Sequence, residues 1–511
     1  MSDTFLNSFM SDVPRGDSTR FLRQQRPPQA RWMKVQDIAK RVSMAYDPRN
    51  PGNKLLFGAL GDKLIGIDDN RHVMTVAGSR SGKSVALIAN LMFYRGSALV
   101  TDPKGELAGR TAEKRARLGQ KVFVLDPFGV TGKSVRSFHA SYNPMQTLDR
   151  AEPTFLEDVS LIAEAMVIQS PDQKEPHWDE SARHFIAGAI ASVSTDPVHA
   201  NRRHLGTVRE LLKQARWVDP ESGDALPALY YEMRANGDRL AAEAEALDDD
   251  LLADVASAII GAVEAFYGKT GSELSGVMST IDRHTQFLDY TAIRRVIKTS
   301  DFSLRDLKAD PKGVSVYLCF PATRSEISKR WMRIFVNQLL DAMEREETVP
   351  AAPVLACLDE FPVLGYMKQL ETAAGLMASF HVKLWFILQD WSQGKALYGE
   401  RWETFASNAG VMQFFGNNDL TTTEYLQRRL GKTLVEVMRA GEVDQERQNK
   451  GLTGRSESTE LHDLMTADEI MRYFSRYDPL KRQLVLWAGH HPIILQRAEY
   501  HDKQGPLAHY V

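Results

Sequence analysis

The chain has 511 residues, too many for one hydrophobic core, so two domains are expected, with room for a third only if it is small. Its hydrophobic content of 43% and charged content of 25% are typical of a globular protein in water. The 63 basic and 66 acidic side chains nearly balance, which excludes a global positive field. Any contact with DNA would therefore need locally basic surface.

The start of the chain and the two cysteines indicate a cytoplasmic setting. Residues 1–55 are polar and marked by prolines, which predicts an N-terminal arm or a loosely packed lead-in. No stretch reaches the roughly 20 apolar residues that span a bilayer, and the N-terminus does not resemble a signal peptide. Cys319 and Cys357 lie in apolar runs, where buried thiols are expected.

Short apolar runs alternate with helical stretches in two parts of the chain. Strands are predicted at residues 72–78, 98–102 and 121–126, and again at 313–320, 353–361, 382–389 and 410–416. Apolar strands separated by helices predict an α/β fold with a mostly parallel sheet covered on both faces. Between the two parts, residues 153–300 are rich in Ala, Leu and Glu at helical spacing and predict an all-α insertion.

The C-terminal part is predicted less regularly. Residues 440–460 are polar and glycine-punctuated, which indicates a surface loop. Thr466 and Glu469 form the pattern of a capping box that opens a short helix. The apolar runs at 482–489 and 492–498 are interpreted as possible edge strands.

A phosphate-binding loop is predicted where the first strand ends. Residues 77–84, AGSRSGKS, follow the A-x-x-x-x-G-K-S pattern, with a strand before and a helix after. Backbone N–H groups of such a loop face an anion, while Lys83 would reach the outer phosphates and the Ser84 hydroxyl would bind Mg²⁺. The predicted nucleotide-binding residues of this loop are Gly78, Ser79, Arg80, Ser81, Gly82, Lys83 and Ser84.

Two further strand ends carry polar residues suited to phosphate chemistry. Asp359 and Glu360 follow an apolar strand, and we expect Asp359 to order Mg²⁺ and Glu360 to polarise water. Gln389 ends another strand, where it would sense the terminal phosphate or orient water. The alternative is that the side-chain amide of Gln389 has only a structural role and forms hydrogen bonds with backbone groups at the end of the strand.

Taken in order, these segments resemble the coupling proteins of conjugative type IV secretion systems, the TraG/TraD-type ATPases. Besides the two nucleotide motifs, the resemblance rests on TDPKGEL, SYNPM, HWDESARHF, ILQDWSQGKALYG, FGNNDLTTTEYLQRRLGKT and LMTADEI. These blocks begin at residues 101, 141, 177, 387, 415 and 464, so the resemblance covers about 70–505.

The resemblance implies a RecA-like P-loop ATPase that assembles as a homo-hexamer and uses ATP and Mg²⁺. It implies a nucleotide-binding domain of residues 56–152 and 301–511, and a substrate-facing domain of residues 153–300. The expected partners are DNA, single-stranded in particular, relaxase or effector proteins, and components of the secretion channel. Asp102 and Lys104 would line the same nucleotide cleft, although a purely structural turn is nearly as well supported.

The sequence departs from the family pattern in two respects. Relatives usually carry N-terminal transmembrane helices, so we expect either a naturally soluble member or one docked at the inner membrane through a partner protein. Ring ATPases also commonly use an arginine from a neighbouring subunit, yet residues 359–389 contain none. His381 and Lys383 are the cations nearby, and lysine cannot form the same bidentate clamp.

Two other functions remain compatible with the sequence. One is an ATP-gated recruitment platform that binds cargo through residues 153–300 and hydrolyses little ATP. The other is a soluble DNA-pumping ATPase that acts outside secretion.

Overall fold

The computed structural model describes residues 29–168, 176–216, 226–440 and 455–511. Its strands, in chain order, are β1 Leu55–Leu60, β2 Lys63–Ile67, β3 His72–Ala77, β4 Ala98–Thr101, β5 Lys121–Leu125, β6 Val314–Leu318, β7 Val354–Leu358, β8 Val382–Leu388, β9 Ala409–Phe415, β10 Lys432–Ala440, β11 Arg455–Asp463, β12 Arg482–Trp487 and β13 Ile493–Gln496. All seven strands predicted from apolar runs in the α/β part are present.

The α-helices of the same ranges are α1 Val35–Lys40, α2 Lys83–Phe93, α3 Glu106–Arg117, α4 Phe155–Met166, α5 Pro176–Thr195, α6 Leu205–Gln214, α7 Ala228–Leu247, α8 Asp250–Tyr267, α9 Gly271–Thr285, α10 Thr291–Val296, α11 Asp306–Ala309, α12 Ser325–Arg345, α13 Lys368–Leu376, α14 Trp391–Tyr398, α15 Trp402–Asn408, α16 Leu420–Leu430 and α17 Ala467–Tyr473. Helix α17 begins with the predicted capping box of Thr466 and Glu469.

The chain divides into two compact units. The first contains the residues up to Arg95 and Lys383–Val511, and the second contains Gly96–Val382. The second unit thus combines four strands with the helical segment. The predicted domain limits instead put these strands and the helical segment in different domains. The domain limits proposed from the sequence stay a prediction.

The first unit contains a mixed sheet with the strand order β2-β1-β13-β12-β9-β3-β8. Strands β9, β3 and β8 are parallel, whereas the remaining neighbours pair antiparallel. Strands β12 and β13 are therefore interior strands, and their interpretation as edge strands is wrong. The hairpin β1–β2 extends the sheet beyond them, and its turn at Gly61, with φ of 59°, adopts the left-handed conformation that glycine allows.

The second unit contains the parallel strand order β7-β4-β6-β5. Every residue of β4, β6 and β7 is buried, as expected for strands covered on both faces. Cys357 in β7 and Cys319 after β6 are free buried thiols, as the sequence indicates.

Between residues 153 and 300, the described parts of the chain form helices and no strand. Helices α5 and α8 approach closely, and the rings of Phe185 and Phe266 stack with centroids 3.8 Å apart. Arg209 of α6 is buried and pairs with Asp282 and Asp289, at 2.8 and 2.7 Å. Apolar packing and this ion cluster together fix the helices of the segment against one another.

Two expectations for polar segments are corrected. The predicted loop at 440–460 contains the beginning of β11, which pairs antiparallel with β10 from Lys432↔Asp463 to Ala440↔Arg455. Residues 441–454 of that prediction lie outside the described residues. Of the predicted arm, residues 1–28 also lie outside them. Within residues 33–44, Met33, Ile38 and Met44 are buried and the other side chains are half-buried or exposed, so the expectation of a loosely packed lead-in is corrected at these three positions only.

A glycine pair tests the close packing of the helical segment. A Cβ atom at Gly188 of α5 would lie 2.4 Å from the Cβ of Ala262 in α8, whereas one at Gly261 would meet nothing within 4 Å. We expect Gly188→Ala to lower the free energy of unfolding by about 1–3 kcal/mol through overpacking. The control Gly261→Ala should raise it by about 0.5–1 kcal/mol, because alanine favours the helix. Chemical denaturation measures both, and equal shifts would contradict this packing.

Candidate functional site

The predicted phosphate loop joins the end of β3 to the start of α2. Strand β3 ends at Ala77, and Lys83 and Ser84 are the first residues of the helix. Gly82 precedes the helix with a φ of 105°, a conformation that residues with a Cβ atom rarely adopt. Ser79 and Arg80 are exposed, while Ser81 is buried. The start of a helix, where backbone N–H groups point outward along the axis, favours an anion at this position.

Close contact with the end of β9 fixes the loop. The N–H of Gly78 donates to the carbonyl of Phe415 at 3.3 Å, and a Cβ atom at Gly78 would lie 2.1 Å from the carbonyl oxygen of Gly416. The Ser81 hydroxyl donates to the Gly78 carbonyl at 2.5 Å. Glycine is thus required at 78 by the neighbouring backbone, independently of any ligand.

Arg497, at the end of β13, holds a carbonyl of the loop. Its Nη1 donates to the Ser81 carbonyl, and its Nε donates to the Lys481 carbonyl at 3.3 Å. The guanidinium also lies 5.3 Å from the ring centre of Phe415, and burial lowers its pKa. Because Arg497 binds a carbonyl of the loop, it restricts the directions in which the loop can present its N–H groups.

The sequence analysis missed Arg497. The residue follows an apolar run whose position in the sheet depends on antiparallel pairing with distant segments. No local pattern indicates that pairing.

Gln389 and Asn417 lie just after the two strands that flank β3. Strands β8 and β9 run parallel to β3, so their carboxyl ends reach the same sheet edge as the phosphate loop. The carbonyl of Gln389 accepts from Asn417 Nδ2 at 3.3 Å, and its N–H donates to Gln393 Oε1 at 2.9 Å. Asn417 is buried and was not singled out in the sequence, although it too follows a parallel strand.

The acidic pair lies in the second unit, directly after β7. The main-chain carbonyl of Asp359 accepts from the Thr101 hydroxyl at 2.8 Å. The side-chain carboxylate of Asp359 accepts from the Glu360 N–H at 3.2 Å. Glu360 has a φ of 53°, which is uncommon for a residue with a side chain. Both side chains are half-buried. An unusual backbone conformation at a strand end is typical of residues whose direction matters for function.

Asp102 and Lys104 occupy different environments at the end of β4. Asp102 is 2% exposed, and its carboxylate accepts from the N–H of Ala108 in α3 at 2.8 Å. Burial raises the pKa of Asp102, while backbone hydrogen bonds from the first turn of α3 oppose that shift. Lys104 is exposed. This geometry favours the structural alternative for Asp102, a helix cap, over a contact with nucleotide.

The structure also shows where His381 and Lys383 lie, the two cations named for the arginine-free stretch of residues 359–389. Lys383 is 1% exposed, and burial lowers its pKa. It lies at the start of β8, which pairs with β3 in the register Val73↔Trp385. That register puts Lys383 at the sheet edge opposite the phosphate loop. His381 precedes it, exposed and with a φ of 60°.

Among the helices that the structure describes, none has the length and the apolar content to cross a lipid bilayer.

Comparisons with known proteins agree with this fold. The conjugal transfer protein TraG of Agrobacterium fabrum is 26% identical over 500 residues, covering 90% of this chain and 70% of TraG. The unbound conjugative coupling protein TrwBΔN70 superposes with a TM-score of 0.63 at 14% identity, covering 93% of this chain and 95% of TrwBΔN70. TrwB in complex with ADP and Mg²⁺ gives a TM-score of 0.60 at 13% identity, covering 93% of this chain and 96% of that one.

The structural likeness shows that the chain has the TrwB fold, an α/β sheet of the RecA-like kind, as the sequence predicts. A family model described as type IV secretory system conjugative DNA transfer matches residues 31–509, nearly the whole chain. The chain therefore belongs to the type IV secretion family of conjugative DNA transfer proteins.

Proposed function

We propose that this protein is an ATP-hydrolysing coupling protein that recruits DNA-relaxase complexes or protein substrates to a type IV secretion channel and drives their transfer. The observation that carries the proposal is the loop between β3 and α2. Gly82 in the left-handed conformation, Lys83 and Ser84 at a helix start, and Gly78 against the Gly416 backbone form a compact anion site.

The relatives support the nucleotide and the transfer role. TrwB, whose fold this chain shares, has been solved with ADP and Mg²⁺, and TraG is a conjugal transfer protein. By extension, we propose that ATP and Mg²⁺ bind here and that the active form is a homo-hexamer. Single-stranded DNA, relaxase or effector proteins and channel components would be its partners, with the described helices of 153–300 facing the substrate. A cytoplasmic location, docked at the inner membrane through a partner, completes the proposal.

The proposal gives the candidate residues distinct roles. Lys83 would neutralise the outer phosphates, and Ser84 would bind Mg²⁺. Asp359 is proposed to order Mg²⁺, as the sequence predicts. Glu360 polarises the attacking water, and Gln389 orients it or senses the terminal phosphate. The metal supplies charge that stabilises the leaving phosphate when it is bound.

The first prediction separates binding from hydrolysis. Lys83→Ala should abolish ATP turnover, because the outer phosphates lose their ammonium partner. Glu360→Gln should keep nucleotide affinity but lower kcat by about 100-fold or more, the usual size of a general-base effect. Steady-state phosphate release measures both, and circular dichroism checks the fold.

The exposed Lys63 supplies a control, since Lys63→Ala should turn over ATP like the parent. Turnover within twofold of the parent in Lys83→Ala would refute the phosphate-loop assignment. Nucleotide binding with negligible turnover in the parent itself would favour the recruitment platform.

The second prediction concerns Arg497. Arg497→Met should weaken Mg·ADP binding by about tenfold or more, because a charge-assisted hydrogen bond that orders the loop is lost. Arg497→Lys should lie between that variant and the parent. Isothermal titration calorimetry measures the affinity. The matched control is Arg472→Met on α17, where the arginine pairs with Asp468 at the surface. Equal affinity in Arg497→Met and the parent would show that the loop needs no such support.

The third prediction decides between the two interpretations of Asp102. If its carboxylate caps α3, Asp102→Ala should lower the free energy of unfolding by about 1–2 kcal/mol. Mg·ADP affinity should then stay unchanged in Asp102→Ala and in Lys104→Ala. Denaturation and calorimetry on the same samples provide the two readouts. A parallel loss of affinity in both variants would instead place the two residues at the nucleotide.

A further inference from the structure

Helix α12 carries a polar stripe along one face. Residues 333, 337, 341 and 345 are spaced four apart, which places them on the same side of a helix. Asn337 Nδ2 donates to the Leu161 carbonyl at 3.5 Å, and Arg345 Nη1 donates to Asp158 at 3.0 Å. Both acceptors belong to α4, the first helix of the helical segment. The two helices are thus joined by polar contacts along most of their length.

Arg333 stands at one end of this stripe and is 5% exposed. Its Nε donates to the carbonyl of Ala165, near the end of α4, at 3.2 Å. Its Nη1 donates to the carbonyls of Leu364 and Tyr366, at 3.1 and 2.6 Å. A buried guanidinium keeps its charge and must be hydrogen-bonded, so these carbonyls are held firmly. One side chain therefore joins α4 to the segment that follows the acidic pair.

That segment passes tightly against α12 beside Arg333. Gly365 has a φ of 69°, and a Cβ atom there would lie 2.7 Å from Cε of Lys329, one turn before Arg333. A side chain at 365 would meet the flexible end of Lys329, which can move aside, so glycine is favoured here by the left-handed backbone conformation. The Leu364 and Tyr366 carbonyls are held against α12 by their hydrogen bonds from Arg333.

The connection from these carbonyls back to Asp359 and Glu360 is short and ordered. Residues Phe361–Leu364 form a 3₁₀ turn, in which Val363 N–H donates to the Glu360 carbonyl at 2.8 Å. Gly365 N–H donates to the Pro362 carbonyl at 3.0 Å. Phe361 and Leu364 are buried. Such a turn transmits displacement, because its ends cannot move independently.

We propose that Arg333 is a positioning residue that couples the acidic pair Asp359–Glu360 to helix α4. A shift of α4, such as one caused by cargo on the helical segment, moves Arg333 and with it the turn that sets the direction of Glu360. This inference rests on the proposed function, because it takes Asp359 and Glu360 as the groups that act on Mg²⁺ and water.

The kinetic test uses the full chain with substitutions on α12. Arg333→Gln should lower kcat for ATP by about tenfold or more while KM and the Kd of Mg·ADP stay within about twofold, since transition-state geometry changes and nucleotide binding does not. Arg333→Lys should recover part of kcat, because an ammonium can still donate to carbonyls.

The matched control is Arg330→Lys. Arg330 lies on the same helix and faces His284, with Nη2 3.4 Å from its Nδ1, rather than the 361–366 turn. It should keep the parental kcat. An unchanged kcat in Arg333→Gln, or equal losses of kcat and affinity, would overturn the positioning role.

A second measurement needs no hydrolysis and so separates this inference from the proposed function. Amide hydrogen exchange at Val363 and Gly365 should accelerate by about tenfold in Arg333→Gln, by less in Arg333→Lys, and remain parental in Arg330→Lys, because local opening becomes easier where the hydrogen bonds to the Leu364 and Tyr366 carbonyls are lost. Asp158→Asn, at the far end of the stripe, should accelerate the same amides to a smaller degree.

Each exchange result decides the inference. If the parent shows no ATP turnover but the exchange pattern holds, the coupling stands and the proposed function fails. Parental exchange at Val363 and Gly365 in Arg333→Gln would overturn the tie. Acceleration in Arg333→Gln without any in Asp158→Asn would overturn its link to α4.

Discussion

Burial of parallel strands on both faces is the constraint on which the rest of this structure depends. Strands buried on both faces are mostly apolar, and polar side chains within them need partners, as Thr75 of β3 finds in Gln413 of β9. Parallel neighbours end at the same sheet edge. In the first unit, the common edge of the parallel strands carries the phosphate loop, Gln389 and Asn417. In the second unit, the corresponding edge carries Asp359 and Asp102. Within each unit, the polar side chains suited to nucleotide are thus gathered where the parallel strands end, because a polar group buried within a strand must be satisfied by hydrogen bonds.

The same constraint explains what the sequence could predict. Asp359 and Glu360 directly follow an apolar run, and Lys83 and Ser84 follow one after a short glycine-containing loop, so the fold class and these residues can be predicted from local sequence. The capping box at Thr466 is equally local, since its two bonds join residues three apart. These predictions depend only on short-range pattern.

The failed predictions depend on long-range pairing. Strand β11 is polar, and its partner β10 begins more than twenty residues earlier, so no local apolar pattern marks β11 as a strand. Strands β12 and β13 have that signature, but their interior place follows from the hairpin β1–β2, more than 400 residues away. Arg497 reaches Ser81 only because of that placement. A pattern within a window of twenty residues contains no trace of such contacts.

Buried arginines give this fold a second kind of constraint. Arg115 and Arg333 are buried and Arg497 is half-buried, and each donates to a main-chain carbonyl, at Gly96, Leu364 and Ser81. A carbonyl in a sheet or helix is already bonded, so the carbonyls open to a guanidinium are those in turns and at strand or helix ends. A buried arginine therefore fixes the irregular segments that the regular hydrogen-bond ladders leave free.

Two of these carbonyls lie in or near segments proposed to act on nucleotide, Ser81 in the phosphate loop and Leu364 shortly after Asp359 and Glu360. Because the guanidinium stays charged and its desolvation is costly, it cannot release its carbonyls without replacing them. The segment and the arginine then move together or not at all. Helix α12 carries such an arginine, Arg333. It therefore links α4, which packs against it, to the turn at residues 361–366. Where that packing is a helical segment fixed internally by Arg209 and by glycine contacts, displacement reaches the turn instead of being absorbed.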